Sequence, residues 1–316
     1  KMALWDNIQG KWNLANQTYT DSSPNANTLT GFGTPTNGVG HSGEADAASV
    51  FNGSTQYLKI TDAAQVGLDI TGNLTLSCWV KFTGWTTDAT MLVNKTQTVG
   101  QYAYDFFLDE ASKTINFRLS SNGTALTTAV GLTALSLGGL YHLVGVYNGI
   151  DIRVYIQGVL DSNGANNPKT YSGGIMNGSD AFCIAAQATT GVFFPMNGNI
   201  DDVCIWNRAL SASEVSELYY LGDNFTGGGI LSGTITDKTG TIVNCSTYNV
   251  RLNAYPKNNI ALGPVKTLLV TTANGTWTLS GLGTAGTKYI VTYEFEGLYT
   301  PLNISDIAGA EFMTAA

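Results

Sequence analysis

Apolar and polar residues alternate along most of the chain in short runs that are typical of β-strands. Over residues 74–81 every second residue is apolar, which gives a strand one apolar face. Similar runs cover residues 102–109, 113–121 and 139–160, the last as two strands around an Asn148-Gly149 turn. Many short strands separated by polar turns predict an antiparallel, all-β sandwich.

Residues 198–220 predict a turn, one more strand and one short helix. With a period of two, Asp201 shares a strand face with Val203 and Ile205, and Asp202 takes the opposite face. We therefore expect Asp201 to face the sandwich interior, where a carboxylate needs compensation. Ser211 stands three residues before Glu214, which is the spacing of a capping box at a helix start.

The composition of the chain changes near residue 225, where three consecutive glycines follow the predicted helix. We predict a first domain over residues 1–224, a glycine-rich linker over 225–229 and a second, smaller β domain over 230–316. The second part again shows short alternating strands, as in residues 249–256 and 288–296.

The charge of the chain restricts its partners. The 316 residues carry a formal net charge of −8 with 12% charged residues. The lack of a basic stripe argues against nucleic acid and against an anionic membrane surface. No apolar run in the sequence approaches the ~20 residues that span a bilayer, and the first ten residues lack the apolar region of a signal peptide.

The four cysteines, at positions 78, 183, 204 and 245, do not show the spacing of a zinc site. Cys78 shares strand parity with apolar neighbours and is expected in the core. Cys183 and Cys204 stand on two strands that could pair, so the sequence leaves a disulfide between them open.

Several of these segments resemble laminin G-like domains of the concanavalin A-like lectin/glucanase superfamily. The closing segment, GNIDDVCIWNRALS, is similar to the pattern G-x-I-D-[DE]-V-x-I-[YW]-N-R-A-L-S. Residues 49–60, SVFNGSTQYLKI, are similar to a second element of that family. The resemblance covers about residues 3–222 and implies a concanavalin A-like jelly-roll sandwich. The second part resembles immunoglobulin-like or transthyretin-like spacer domains, which implies a smaller sandwich.

The resemblance also implies a structural calcium ion near the closing strand and an early loop. In this chain the loop contains Asp21 and Asn25, and together with Asp201 they would supply the hard oxygen ligands that Ca²⁺ prefers. The alternative is that Asp201 accepts backbone N–H bonds and that Asp21 forms an Asx turn.

The motifs that would indicate an enzyme are incomplete. Glucanases of this fold use a strand motif E-x-D-x-x-E, and the nearest string here begins at Glu44 and Asp46 but ends in Ser49. Asp105 and Asp109 share a strand face, which we interpret as a solvated sheet face. Only two histidines occur, and the sequence contains no nucleophile motif of the G-x-S-x-G type. We therefore predict a protein that is not an enzyme.

Aromatic residues at loops and strand ends indicate a binding function, because sugars stack on exposed rings. The candidates are Trp85, Tyr102, Tyr104, Phe193 and Phe194. The leading hypothesis is a surface-exposed recognition or adhesion protein, extracellular or at a cell surface, that binds a glycan through loops of the first domain. The alternative is a structural decoration or fibre protein on a bacteriophage virion, docked on a capsid or tail partner. A homo-oligomer is compatible with either.

Overall fold

The computed structural model describes residues 4–41, 43–188 and 191–221, followed by the backbones of six strands in the remainder of the chain. The chain divides into two compact units, Lys1–Tyr219 and Tyr220–Ala316. Among the described residues, none of the helices combines the length and the apolar character that a membrane crossing requires.

Unit 1 is built almost entirely of strands. These strands are β1 (Ile8–Trp12), β2 (Thr30–Phe32), β3 (Thr36–Gly38), β4 (Ala48–Asn52), β5 (Tyr57–Ile60), β6 (Leu74–Phe82), β7 (Ala89–Lys95), β8 (Tyr102–Asp109), β9 (Ile115–Gly123), β10 (Leu126–Val130), β11 (Leu140–Tyr147), β12 (Asp151–Ile156), β13 (Val159–Leu160), β14 (Lys169–Thr170), β15 (Phe182–Ile184), β16 (Gln187–Ala188), β17 (Val192–Phe193) and β18 (Asn197–Trp206). One α-helix, α1 (Ala212–Leu221), follows them, and three short 3-10 turns lie at Ala15–Gln17, Asp62–Ala64 and Gly164–Asn166.

Two large antiparallel sheets form the sandwich. Sheet A has the order β13-β12-β11-β6-β18-β4-β3, with β1 beside β18 and β14 beside β12. Sheet B has the order β10-β9-β8-β7-β15-β5-β2. Strands β16 and β17 form a separate hairpin that is inserted after β15. The predicted all-β jelly-roll sandwich is confirmed for unit 1.

The hydrophobic core lies between the two sheets and follows the predicted alternation. In β6 the side chains of Leu74, Leu76, Cys78 and Val80 belong to the core and are at most 1% exposed. Sheet B contributes residues such as Phe106, Phe117 and Phe182, each fully buried. Burial of one large apolar side chain stabilises the fold by roughly 1.5–3 kcal/mol.

The closing strand β18 departs from the predicted parity at its two aspartates. Asp201 lies opposite Trp79 of β6, and the register then shifts before Cys204 pairs with Ser77. The extra residue is a β-bulge, and Asp202 within it has a φ of 45°. The bulge reverses the side-chain alternation, so Ile200 and Val203 both enter the core. The prediction that Asp201 shares the inward face of Val203 is therefore wrong.

The disulfide left open by the sequence is not formed. Cys183 lies in β15 of sheet B and Cys204 in β18 of sheet A, and both are buried without a bond between them. Burial raises the pKa of the Cys183 thiol to about 12, which keeps it protonated.

Helix α1 packs on the outer face of sheet A and begins at the predicted capping box. The Glu214 backbone N–H donates to Ser211 Oγ at 3.3 Å, and the Ser211 N–H donates to Glu214 Oε2 at 2.8 Å. Glu214 also accepts from Arg208 Nη1 at 2.9 Å. The ring of Tyr219 stacks on Trp79 at a centroid distance of 5.6 Å, which brings the helix onto β6.

Unit 2 contains strands in two sheets. The strands are β19 (Gly229–Thr234), β20 (Asn249–Pro256), β21 (Lys266–Val270), β22 (Thr276–Leu282), β23 (Lys288–Glu296) and β24 (Phe312–Thr314). β19 pairs with β22, and the other four have the order β21-β20-β23-β24. The immunoglobulin-like assignment stays a prediction, as does the linker, because residues 222–228 lie outside the described residues.

Candidate functional site

Two groups of polar side chains lie on the outer faces of the two sheets. The first is on sheet B and consists of Asn94, Asp105, Phe107, Asn116 and Arg118, which we call the sheet-B face. These residues alternate along β7, β8 and β9 with core residues, so they project away from the sandwich interior. Register places Asn94 opposite Asp105 and Asp105 opposite Arg118, which aligns three polar side chains across three strands.

Asp105 and Arg118 form the centre of the sheet-B face. The Nε atom of Arg118 lies 3.0 Å from both carboxylate oxygens of Asp105. Burial raises the pKa of Asp105, and the charge of Arg118 offsets this only in part. For Arg118, burial acts to lower the pKa, but the Asp105 carboxylate raises it above its usual value. The guanidinium also lies 4.7 Å from the centre of the Phe107 ring, and a quarter of its side chain is exposed.

Within the described part of the chain, two amide oxygens on this face have no hydrogen-bond partner. The Oδ1 atoms of Asn94 and Asn116 are buried and unpaired, although Asn94 donates through Nδ2 to the carbonyl of Ala186 at 2.8 Å. An unpaired buried carbonyl costs about 1–3 kcal/mol. Such groups are candidates for hydrogen bonds to a ligand or to ordered water.

The β16–β17 hairpin borders the sheet-B face on one side. The Lys59 ammonium donates to the carbonyl of Ala188 at 3.2 Å, and the Met91 N–H donates to the carbonyl of Phe194 at 2.9 Å. Phe193 at the end of the hairpin is 49% exposed, and Phe194 beside it is half-buried. Both predicted ligand-binding phenylalanines therefore stand beside the strand that carries Asn94.

The other predicted aromatic residues have different surroundings. Tyr102 is half-buried, and its phenol contributes to the raised pKa of Arg118, so it lies at the sheet-B face. Tyr104 is 1% exposed and its hydroxyl donates to the carbonyl of Leu68 at 3.0 Å, which makes it a core residue that cannot present its ring. Trp85 is half-buried under the Lys113 ammonium, which lies 4.5 Å from its ring centre.

The second group lies on the outer face of sheet A and consists of His41, Asp201 and Asp202, which we call the His-Asp cluster. The Nδ1 atom of His41 lies 3.0 Å from Asp201 Oδ2 and 3.2 Å from Asp202 Oδ2. The backbone N–H of His41 donates to Asp201 Oδ2 at 2.9 Å. The imidazole stacks on Trp79 with a centroid distance of 4.6 Å, and this contact fixes the plane of the ring.

A cavity of about 220 Å³ opens beside the His-Asp cluster, with His41, Trp79, Lys81, Asn199 and Asp201 among its lining residues. The loop that precedes β4 forms one of its walls. A Cβ atom added to Gly40 in that loop would lie 2.9 Å from Glu44 Oε2 and 3.1 Å from Asp201 Oδ2. Glycine at position 40 therefore leaves room where two carboxylates converge.

The structure places the predicted calcium ligands Asp21 and Asn25 in a hydrogen-bonded loop. The Asp21 carboxylate accepts from the N–H groups of Lys11, Ser23 and Asn27 at 2.7–2.8 Å, and from Ser23 Oγ. Asn25 donates through Nδ2 to Gln9 Oε1 at 2.9 Å. These contacts correspond to the alternative of an Asx turn and do not favour calcium at this loop, because the donors already occupy the oxygen lone pairs. Calcium binding stays a prediction.

The sequence did not single out Arg118 or His41 as candidate site residues. Asp105 was noted as part of a solvated face, yet it is 1% exposed and paired with Arg118. The strand parity of Arg118 carried a signal, since it alternates with apolar Phe117 and Leu119. His41 stands in a glycine-rich loop without periodicity, so nothing in the pattern linked it to position 201.

Comparison with known proteins supports the fold. A laminin G family model, described as the concanavalin A-like lectin/glucanases superfamily, matches residues 52–216. No curated protein matches the chain.

The chain is also similar to several solved structures. Domain 4 of AbnA, a GH43 extracellular arabinanase from Geobacillus stearothermophilus solved with arabinotriose, has a TM-score of 0.51 at 20% identity over 67% of this chain and 98% of its own. The binding domain of botulinum neurotoxin serotype D/C has a TM-score of 0.55 at 11% identity, over 93% of this chain and 73% of its own. A botulinum neurotoxin DC binding domain in complex with SialylT matches at 12% identity and TM-score 0.53, over 80% of this chain and 58% of its own.

Proposed function

Since the chain belongs to the concanavalin A-like lectin/glucanases superfamily, we propose that unit 1 is a non-enzymatic carbohydrate-binding module that acts outside the cell. The sheet-B face is its binding surface. The observation that carries this proposal is the Asp105–Arg118 pair on an outer sheet face, beside the unpaired carbonyl of Asn116.

The sheet-B face supplies the groups that sugar recognition needs. A sugar hydroxyl both donates and accepts hydrogen bonds. The face offers donors on Arg118, a quarter of whose side chain is exposed, with the buried, unpaired carbonyl of Asn116 beside them. Both residues lie on β9 two positions apart, so about 7 Å separates their backbones. Asp105 holds the guanidinium in place, which reduces the entropy lost on binding.

Exposed and half-buried aromatic rings lie at the border of the same face. Phe193 is 49% exposed and Tyr102 is half-buried, and such rings provide the apolar surface on which a sugar ring packs. The AbnA domain solved with arabinotriose and the neurotoxin binding domain in complex with SialylT support a glycan as the class of ligand.

A non-enzymatic role accords with the position of the carboxylates. Asp105 is engaged by Arg118, and Asp109 accepts hydrogen bonds from Ser112 in the β8–β9 turn. A glycosidase needs two carboxyl groups about 5–9.5 Å apart that flank a bound sugar, one of them free to transfer a proton. On this face both acidic groups serve structural contacts.

Calorimetric titration with arabinotriose and with sialyllactose, after a glycan array, tests the proposal. We expect Asn116→Ala to weaken binding of the glycan that scores on the array by roughly tenfold, because one buried acceptor is worth about 1–1.5 kcal/mol. Arg153→Ala is the matched control, since Arg153 pairs with Asp151 on sheet A. An equal loss of glycan affinity in Asn116→Ala and Arg153→Ala, or hydrolysis of the glycan, would contradict the proposal.

The virion alternative concerns docking on a capsid or tail partner, for which the second unit is the expected anchor. Only strand backbones are described there, so this alternative stays a prediction from the sequence. Co-purification with phage particles would support it.

A further inference from the structure

We propose that the His-Asp cluster is a binding site for a divalent transition-metal ion, with Zn²⁺ as the representative ion. Its protein ligands are His41 Nδ1, Asp201 Oδ2 and Asp202 Oδ2. The site lies on sheet A, away from the sheet-B face, and does not depend on glycan binding.

The geometry of the three ligand atoms suits a small metal ion. His41 Nδ1 lies 3.0 and 3.2 Å from the two carboxylate oxygens, and all three atoms lie within 4.8 Å of one another. Ligand atoms placed 2.0–2.2 Å from a tetrahedral zinc ion are separated by about 3.4 Å. Both distances from His41 Nδ1 are therefore within a few tenths of an ångström of the spacing that a bound ion requires.

The contacts of His41 Nδ1 with two carboxylate oxygens require the nitrogen either to carry a proton or to bind a metal ion. A bare imidazole lone pair cannot face two carboxylate oxygens at hydrogen-bond distance, because all three atoms are acceptors. The position is filled by a proton on Nδ1 or by a metal ion. In the neutral tautomer that proton adds no charge, whereas a divalent ion balances both aspartate charges.

The fold places the three ligand side chains together before any ion binds. The β-bulge places the carboxylates of two successive residues on one side of β18, where a regular strand would send them to opposite faces. The Trp79 ring stacks against one face of the imidazole. Both contacts restrict the ligands to one arrangement, which lowers the entropy cost of coordination.

The neighbouring cavity and Glu44 complete the site. The cavity reaches His41 and Asp201 and has room for water molecules as exchangeable ligands. Glu44 Oε2 approaches the same space that Gly40 keeps open, which adds a third carboxylate beside the cluster. One imidazole with carboxylates favours Zn²⁺ over Ca²⁺, which prefers six to eight oxygen ligands.

The full-length protein, first treated with EDTA, is titrated with ZnCl₂ and followed by calorimetry and by NMR of the ¹⁵N-labelled imidazoles. Because the chain has only two histidines, the ring signals can be assigned directly. We expect one equivalent of Zn²⁺ to bind and to shift Nδ1 of His41, while the signals of His142 stay in place.

Substitutions in the His-Asp cluster distinguish metal coordination from an ion pair between His41 and the aspartates. His41→Phe keeps a ring for the stack on Trp79 and removes the ligand nitrogen, and we expect at least a tenfold loss of Zn²⁺ affinity. Asp202→Asn should reduce the affinity similarly. Asp46→Asn, an exposed carboxylate in the same loop, is the control and should bind as the parent does. Circular dichroism confirms that each variant is folded.

Three outcomes overturn the proposal. In the first, Zn²⁺ leaves the His41 signals unchanged and the cluster is an ion pair only. In the second, His41→Phe binds Zn²⁺ as tightly as the parent, so the ion lies elsewhere. In the third, Ca²⁺ binds at Asp201 in preference to Zn²⁺ and without dependence on His41.

Discussion

The Nδ1 atom of His41 lies 3.0 Å from Oδ2 of Asp201, although 160 positions separate the two residues. The contact joins the loop before β4 to the closing strand of the sandwich. It exists because a bulge brings Asp201 to the outer face of sheet A, opposite Trp79, on which the His41 ring stacks. A regular strand with a period of two would have turned the Asp201 carboxylate into the sandwich interior, away from the His41 ring.

Phe193 and Trp85 should respond differently to truncation. Phe193→Ala is expected to weaken glycan binding and to leave the melting temperature within about 1 °C, because the ring is 49% exposed. Trp85→Ala should lower the melting temperature, since the indole packs on Phe82 at 5.5 Å and supports the core. Titration with the glycan found on the array and thermal denaturation check both. Loss of binding in Trp85→Ala at an unchanged melting temperature would move the binding surface to that loop.

Gly198 should be intolerant of a side chain, whereas Gly72 should accept one. A Cβ at Gly198, where φ is 148°, would overlap the backbone carbonyl of Lys81 in the neighbouring strand. Gly198→Ala is therefore expected to destabilise the protein by about 1–3 kcal/mol. Gly72→Ala has open space around the new methyl group and should change stability by less than about 0.5 kcal/mol. Urea denaturation of the two variants measures the difference, and equal stability would refute the strand register.

The capping box of α1 makes a testable contribution to stability. Ser211→Ala removes the oxygen that accepts the Glu214 N–H and should cost about 1 kcal/mol. Ser213 is exposed in the first turn and hydrogen-bonds to the Ser211 hydroxyl at 3.0 Å, so Ser213→Ala is the control with a smaller effect. Chemical denaturation of both variants at pH 7 provides the comparison. A Ser213→Ala effect equal to that of Ser211→Ala would contradict the assignment of the cap.

His142 should make the fold sensitive to acid. Burial, with a smaller contribution from His41, lowers the pKa of His142 from 6.5 to about 3. The unfolded chain therefore binds a proton between these values that the folded protein does not, so stability falls as pH drops below 6.5. The slope is at most about 1.4 kcal/mol per pH unit. Denaturation midpoints between pH 7 and 4 measure it, and His142→Gln should flatten the profile. An unchanged profile in that variant would exclude His142 as the source.

The alternation of apolar residues was sufficient to predict the sandwich but not the arrangement of its polar groups. Strand parity correctly assigned Cys78 to the core, and the capping-box spacing correctly placed Ser211 at a helix start, because each depends on neighbours within a few positions. Asp201 was assigned to the wrong face, since a bulge depends on the pairing with β6, which a single strand does not encode.

The candidate sites depend on contacts between distant parts of the chain. Arg118 meets Asp105 through the register of two strands, and His41 meets Asp202 through the path of a loop. Residue spacing predicts neither. For Tyr104, in contrast, the local pattern was sufficient. Its alternation with Phe106 and Leu108 already indicated a core position, but Tyr104 was chosen as a ligand-binding candidate because it is aromatic.

The position of β18 has a consequence for protein synthesis. This strand is the last of unit 1 to leave the ribosome, yet it lies between β6 and β4 and also pairs with β1. Until Trp206 has emerged, the nascent chain holds two halves of a sheet whose inner edges are open to other chains. A nascent chain that stalls before Asn197 therefore presents unpaired strands, which can pair with other chains until the ten residues of β18 close the sheet.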